Sequence, residues 1–220
     1  MGLFTVDKDK HFKGPHQNTR ILQAGAPVAE AEAAMIMIHG RGAGAQSILQ
    51  LASEFRSQRK IAYYAPQASG YTWYPNSFLA PTEQNEPGLS SGLQKIYDII
   101  TDLEANGIAK ENTYLLGFSQ GACLASEYAA RHPYPYAGLI ALSGGLIGDT
   151  VERGNYKGDL GGMPVFMGCS DTDPHIPKER VDISEIVFKQ LNAEVTKSIY
   201  PGMGHLVNKD EIEHIRKIIG

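Results

Sequence analysis

The sequence predicts an α/β fold in which a mostly parallel central sheet is covered by helices on both faces. Two observations lead to this prediction. Short apolar runs alternate along the chain with amphipathic stretches, which is the order of strands and helices in βαβ units. The 220 residues are enough to bury one core without disulfides. We therefore expect a single domain over residues 1–220.

The predicted strands are apolar on both faces, as strands inside a parallel sheet are. They comprise residues 33–39, 61–66, 113–118, 138–143 and 164–169. Residues 194–200 add a strand with Val195 and Ile199 on one face, and residues 19–24 are a candidate edge strand.

The predicted helices carry apolar residues at steps of three and four. These residues are Ile48, Leu51, Ala52 and Phe55; Leu89, Leu93, Ile96, Ile100 and Leu103; and Ile183, Val187 and Leu191. A last helix is predicted from a capping box, Asn208 with Glu211, which has Val207 and Ile212 in the positions of a hydrophobic staple.

Composition excludes several classes of protein. Twenty Lys and Arg against 24 Asp and Glu give a net charge of −4, which is unsuited to binding nucleic acid. The apolar runs are far shorter than the about 18 residues of a membrane span. Residues 1–8 become charged too early for a signal peptide. Cys123 and Cys169 form no C-x-x-C pair, so we expect no metal site, no disulfide framework and a cytoplasmic location.

Ser119 lies in a pattern typical of a catalytic nucleophile. Residues 117–121 match G-x-S-x-G, with an apolar strand before them and a helix of small residues after them. Side chains flanking such a sharp turn would collide, so Gly117 and Gly121 provide clearance. The alternative is a serine that merely closes an ordinary βα turn. The context favours the catalytic interpretation.

His205 is the candidate general base, because a serine hydroxyl is a weak nucleophile without one. It follows the last predicted strand in a glycine-rich loop, where the chain order Ser, Asp, His places the base. A structural role is the alternative for it and for the other six histidines.

The acid that orients this histidine is expected in the loop after residues 164–169. Asp171 and Asp173 both lie there, and either could instead cap the turn. Asp173 is farther from the strand, and Pro174 biases it toward an extended backbone. These arguments favour Asp173 and leave Asp171 open.

The loop at residues 39–44 contains three glycines and is the candidate source of an oxyanion donor. It lacks G-x-G-x-x-G and a following Lys-Ser/Thr pair, which counts against a phosphate-binding loop. We expect the backbone N–H groups of Arg41 and Gln120 to bind the oxyanion.

Residues 66–87 are expected to form a wall of the substrate cleft. They contain four of the twelve prolines and a cluster of aromatic side chains. A packed surface loop is the alternative. The candidate cleft residues are Tyr71, Trp73, Tyr74 and Phe78, together with His39 after the first buried strand.

Together, these motifs resemble those of the phospholipase/carboxylesterase family of α/β-hydrolases. The residues that carry the resemblance occur in one order, at 38–42, 117–121, 170–177 and 204–205. The resemblance implies an α/β-hydrolase fold with Ser119 as nucleophile, Asp173 as acid and His205 as base. It also implies the same oxyanion donors and a tryptophan beside the cleft.

The resulting prediction is a serine hydrolase that cleaves small-molecule carboxylic esters of small to medium acyl groups, without metal or organic cofactor. The lack of a basic amphipathic helix argues against lipids embedded in bilayers and against membrane insertion. An acyl thioesterase or lysophospholipase would use the same machinery. A dienelactone-hydrolase type would need cysteine at position 119, and a non-catalytic member of the fold would have lost a triad residue. A homodimer is left open.

Overall fold

The computed structural model describes residues 13–55 and 57–220. The strands are β1 (Ile21–Gly25), β2 (Ala33–Ile38), β3 (Ile61–Pro66), β4 (Thr113–Phe118), β5 (Gly138–Leu142), β6 (Pro164–Ser170) and β7 (Glu194–Tyr200). They form a seven-stranded sheet in the order β1-β3-β2-β4-β5-β6-β7. β1 is antiparallel to β3, and the other neighbouring pairs are parallel.

Helices cover both faces of this sheet, which confirms the predicted fold class. The helices are α1 (Ala45–Gln50), α2 (Gly88–Ala105), α3 (Gln120–Arg131), α4 (Lys178–Gln190) and α5 (Lys209–Ile219). The apolar sides of α1 and α5 belong to one buried cluster, and those of α2, α3 and α4 to the other.

β2 shows why an uninterrupted apolar run folds as a central strand. Ala34, Ile36 and Ile38 belong to one buried cluster, whereas Ala33, Met35 and Met37 belong to the other. Side chains alternate across a strand, so a strand covered by helices on both faces has to be apolar at every position.

The predicted boundaries are reproduced closely, with local differences. The edge strand begins at Ile21, and the stretch predicted as one helix at 48–55 is divided into α1 and a 3₁₀ turn, Leu51–Glu54. The capping box is present, because Asn208 Oδ1 accepts from Glu211 N and Glu211 Oε2 accepts from Asn208 N, both at 2.9 Å. The prediction about a signal peptide at residues 1–8 lies outside the described residues. Within the described ranges, no helix is long and apolar enough to cross a membrane.

Parallel pairing brings the candidate site residues to one edge of the sheet. Ile38 of β2 pairs with Gly117 of β4, so the loop after β2 lies beside Ser119. Ser170 of β6 pairs with Tyr200 of β7, so the two loops that carry Asp173 and His205 start side by side. Ligands of open α/β sheets bind at this carboxyl edge.

Candidate active site

Ser119 occupies a strained turn between β4 and α3. Its backbone has φ 56° and ψ −121°, in the positive-φ region that residues other than glycine rarely adopt. A Cβ at position 117 would lie 2.3 Å from the Gly121 carbonyl group, and one at position 121 would lie 2.0 Å from Ile38 O. The turn therefore has room only for glycine on both sides of the serine, as the motif predicts.

A cavity of about 460 Å³ opens at this turn, and several of the candidate residues meet in it. Ser119, Gln120, His205 and Arg41 all line it. The remaining lining residues are Gly40, Ala43, Tyr74, Pro75, Asn76, Ser77, Phe78, Phe118, Cys123, His175 and Ile176. Its size lies within the usual range for small-molecule sites.

Asp173 and His205 form a hydrogen-bonded pair, and His205 lines the same cavity as Ser119. His205 Nδ1 lies 2.8 Å from Asp173 Oδ2, and the Asp173 side chain is fully buried. Asp173 Oδ1 accepts from the backbone N–H groups of His175 at 2.9 Å and Ile176 at 3.1 Å. Burial acts to raise the pKa of Asp173, but the His205 ring and these N–H groups outweigh it and lower the pKa. The carboxylate is therefore charged near neutral pH.

Asp171, the competing carboxylate, has a different partner. It is exposed, and its Oδ1 accepts from Gly202 N at 2.8 Å. Ser170 Oγ accepts from Gly204 N at 3.0 Å. Both contacts hold the loop between β7 and His205, so Asp171 supports the position of the histidine loop without touching the ring.

The loop after β2, which carries Arg41, lies directly against Ser119. It is a candidate source of an oxyanion donor. A Cβ at Gly40 would be 3.2 Å from Ser119 Cβ. The described residues provide no backbone acceptor for the N–H groups of Arg41 and Gln120. Gln120 also begins α3, where the helix dipole favours negative charge. These N–H groups are available to an anionic oxygen that forms next to Ser119.

The side chains of the same two residues hold the cleft wall through its backbone. Tyr74 O accepts from Arg41 Nη2 at 2.9 Å, Gln120 Nε2 at 2.8 Å and Thr72 Oγ1 at 2.9 Å. Arg41 also donates to Pro75 O at 2.8 Å and to Asn76 O at 2.5 Å. Sequence reasoning missed this role, since these contacts join segments more than 30 residues apart and leave no local pattern.

Of the five predicted cleft residues, two line the cavity and three do not. Tyr74 and Phe78 lie in its wall. The described residues around the cavity do not include Tyr71, Trp73 or His39, so the prediction for these three is corrected.

The three residues lie elsewhere for physical reasons. Trp73 and His39 are fully buried behind the wall, where Trp73 Nε1 donates to His39 O at 2.9 Å. A large indole buried with its N–H paired forms part of the core. Tyr71 is 56% exposed on the outside. His175, Phe118 and Ile176 line the cavity instead, and their spacing in the sequence did not indicate this.

Two thiols lie close to the site and remain protonated. Burial raises the pKa of Cys123, which lines the cavity, and that of Cys169 to about 12 in each case. Because only a thiolate is an effective nucleophile, neither thiol is reactive near neutral pH.

The order of the strands and the strained serine turn between β4 and α3 define the protein class as an α/β-hydrolase. A family model described as Phospholipase/Carboxylesterase matches residues 20–220. The chain therefore belongs to this family, and its relatives identify it as an enzyme of the serine ester hydrolase class. The resemblance inferred from the motifs is confirmed.

Individual relatives agree with this assignment. A crystal structure of a phospholipase/carboxylesterase from Dyadobacter fermentans has a TM-score of 0.89 and 42% identity, covering 94% of this chain and 98% of that chain. Acyl-protein thioesterase 1 of Neurospora crassa is 22% identical over 217 residues, covering 87% of both chains. Acyl-protein thioesterase 1 of Saccharomyces cerevisiae is 30% identical over 135 residues, which span 60% of this chain and 59% of the yeast protein.

Proposed function

We propose that the protein hydrolyses carboxylic esters of small to medium acyl groups through a Ser119-His205-Asp173 triad. The observation that carries the proposal is the 2.8 Å contact between His205 Nδ1 and Asp173 Oδ2, made by a histidine that lines the same cavity as the strained Ser119. With the Nδ1 proton donated to Asp173, Nε2 of the imidazole is free to accept a proton.

The proposed reaction proceeds through an acyl-enzyme. His205 Nε2 takes the hydroxyl proton as Ser119 Oγ attacks the ester carbonyl carbon, and the carbonyl oxygen becomes the oxyanion bound by the N–H groups of Arg41 and Gln120. His205 then donates its proton to the departing alkoxide. A water molecule, deprotonated by the same ring, attacks the acyl-enzyme and releases the acid, which restores Ser119.

The preference for small to medium acyl groups is supported by the shape and lining of the cavity. Its volume is about 460 Å³, and Tyr74, Phe78, Phe118 and Ile176 supply apolar surface. Such a site binds a short apolar chain by removing it from water. Butyryl esters should be hydrolysed faster than palmitoyl esters below the micellar range. The opposite order would contradict this part of the proposal.

Thioester hydrolysis is the second candidate, and the similarity to proteins named acyl-protein thioesterase 1 favours it. The same triad would act on a thioester, because the acyl-enzyme is identical. An oxygen ester and a thioester with the same butyryl group, assayed side by side, decide between the two. A lysophospholipid added to this panel tests the lysophospholipase alternative, and no turnover on any substrate would indicate a non-catalytic member of the fold.

The proposal is tested with Ser119→Ala and a matched serine variant. Loss of the nucleophile should lower kcat by about 10⁴-fold or more and abolish labelling by a fluorophosphonate. Ser126→Ala is the control, because Ser126 is buried in α3 and its Oγ has no hydrogen-bond partner among the described residues. That variant should keep both turnover and labelling. Undiminished activity of Ser119→Ala, or labelling at another residue, would refute the proposed triad.

We also propose that the enzyme acts in the reducing cytoplasm. In support of this, Cys123 and Cys169 are both buried free thiols. Cell fractionation with a labelled chain tests the proposal, and recovery from an oxidising compartment would contradict it.

A further inference from the structure

Trp73 packs against two buried histidine rings. The ring centroids of His16 and His39 are each 5.2 Å from that of Trp73. The two histidines are 1% and 0% exposed. Burial lowers the pKa of each ring, so both are neutral near pH 7. A neutral imidazole has one donor and one acceptor nitrogen, and its partners decide which is which.

The partners of His39 determine its tautomer. Ala68 N lies 3.1 Å from His39 Nε2, and a backbone amide can only donate. Nε2 must therefore be the unprotonated nitrogen, and the proton is on Nδ1. His39 Nδ1 lies 2.8 Å from Gly40 O and so donates to this carbonyl group.

The carbonyl that His39 holds belongs to the peptide that carries a proposed oxyanion donor. Gly40 C=O and Arg41 N–H are part of one planar peptide group, so fixing the direction of the carbonyl fixes the direction of the N–H. Because Gly40 lacks a Cβ, its backbone is loosely restrained, and without the hydrogen bond from His39 the Gly40–Arg41 peptide plane would be free to rotate. Ala43 N, at 3.2 Å from Gly40 O, gives a weaker second restraint.

We propose that His39, as the Nδ1–H tautomer, is a positioning residue that aims the Arg41 N–H at the oxyanion through the Gly40 carbonyl. The inference rests on the proposed function, since attack of Ser119 on an ester or thioester carbonyl gives the N–H group an oxyanion to bind. His39 does not touch the cavity and acts only through the peptide group it holds.

His16, which packs against the same Trp73 ring, provides a matched comparison. Its Nδ1 accepts from Ser69 N at 3.0 Å, and its Nε2 therefore donates to Trp73 O, which is 2.9 Å away. The two rings are thus opposite tautomers with similar burial and the same tryptophan neighbour. No hydrogen bond in the described structure links His16 to the Gly40–Arg41 peptide.

Two amide substitutions separate the two nitrogens of His39. The amide of asparagine reaches the place of Nδ1, whereas that of glutamine reaches the place of Nε2. His39→Asn can still donate to Gly40 O, but His39→Gln can only satisfy Ala68 N. We expect His39→Gln to lower kcat by about 10²- to 10³-fold, with KM within about threefold, the size of a lost oxyanion donor. His39→Asn should recover most of that loss.

The inhibition constant of a trifluoromethyl ketone, which forms an oxyanion adduct with the serine, provides a second measurement. For His39→Gln it should rise in parallel with the loss of kcat/KM, because both report binding of the oxyanion. His16→Gln and His16→Asn should lower the melting temperature and leave kcat within about threefold. Equal losses in the two His39 variants, a lower kcat in His39→Asn, or a change in KM alone would overturn the inference.

The wild-type protein provides a test that does not depend on the folding of any variant. Long-range ¹H–¹⁵N correlation spectra should show His39 protonated at Nδ1 and His16 protonated at Nε2. An Nε2–H tautomer for His39 would overturn the inference. If Ser119→Ala abolishes turnover but His39→Gln does not reduce it, only this inference fails. If the wild type hydrolyses neither esters nor thioesters, the proposed function fails first and the inference fails with it.

Discussion

Replacing Asp173 by asparagine should disable the enzyme by reversing the hydrogen bond to His205. Oδ1 of Asp173 accepts two backbone N–H groups, from His175 and Ile176. The oxygen of an asparagine amide has to take this position, which turns its NH₂ group toward His205 Nδ1. That ring nitrogen must then accept, so the proton moves to Nε2. In this tautomer His205 cannot take the proton of Ser119.

The two backbone bonds set the size of this effect. Rotating the asparagine amide by about 180° would restore the His205 tautomer with its proton on Nδ1. It would also leave the two backbone N–H groups without an acceptor, which costs about 2–4 kcal/mol in total. The productive orientation is then disfavoured by roughly 30- to 1,000-fold. Loss of the buried negative charge beside the imidazolium adds to this. We expect kcat to fall by about 10³- to 10⁴-fold, a size typical of an amide in a Ser-His-Asp triad.

The assay compares butyryl ester hydrolysis by Asp173→Asn and Asp171→Asn at equal folded fraction, measured by circular dichroism. Asp171 is exposed and, among the described residues, accepts a hydrogen bond from Gly202 N alone, a bond that an asparagine oxygen can keep. Asp171→Asn should change kcat by less than about threefold and the free energy of unfolding by about 1 kcal/mol or less. If Asp171→Asn were the more impaired variant, the triad acid would be Asp171 and the reasoning above would be wrong.

Three further predictions concern stability and the cleft wall. Burial raises the pKa of the fully buried Glu211 to about 7, against an ordinary value of 4.5, so at a pH between these two values its carboxyl is mostly protonated in the folded protein and mostly ionised in the unfolded chain. Urea titrations should therefore show the wild type losing about 2–3 kcal/mol of unfolding free energy relative to Glu211→Gln between pH 5 and pH 8, and parallel curves would contradict this. Gly121→Ala should lower the unfolding free energy by more than about 3 kcal/mol, because its Cβ would lie 2.0 Å from a backbone oxygen of β2. Gly154→Ala is the control, since its Cβ would have no atom within 4 Å, and it should change the unfolding free energy by less than about 0.5 kcal/mol. Arg41→Ala should lower kcat/KM equally for neutral and acidic esters, because the guanidinium is bonded to wall carbonyls, and a selective loss for acidic esters would show that it binds substrate instead.

The fold and the positions of the loops that carry the candidate site residues could be predicted, because local sequence patterns encode them. Strands buried on both faces are apolar throughout, and a serine between two glycines after such a strand indicates a sharp turn. The choice between Asp171 and Asp173 could only be ranked. It depends on where Gly202 and His205 lie, and those contacts span 31 and 32 residues.

The residues that line the cleft were harder to predict, because an aromatic composition does not reveal in which direction each side chain points. Trp73 and Tyr74 are adjacent and both almost fully buried, yet only Tyr74 reaches the cavity. The Trp73 ring turns away because His16 and His39 flank it and the His39 carbonyl accepts its N–H. This packing brings together three segments that are distant in the sequence, so it cannot be predicted from the residue pattern of any one of them.

The way Arg41 and Gln120 hold the wall has an evolutionary consequence. Each of their bonds to residues 73–76 ends on a main-chain atom, which every amino acid provides, except that proline at position 73 would lack the N–H. The path of the wall is therefore largely independent of the side chains it displays. Ser77 and Phe78, which line the cavity just beyond the anchored carbonyls, can be exchanged without releasing those bonds. Acyl preference can thus diverge among descendants of this enzyme while the groups proposed to bind the oxyanion keep their geometry.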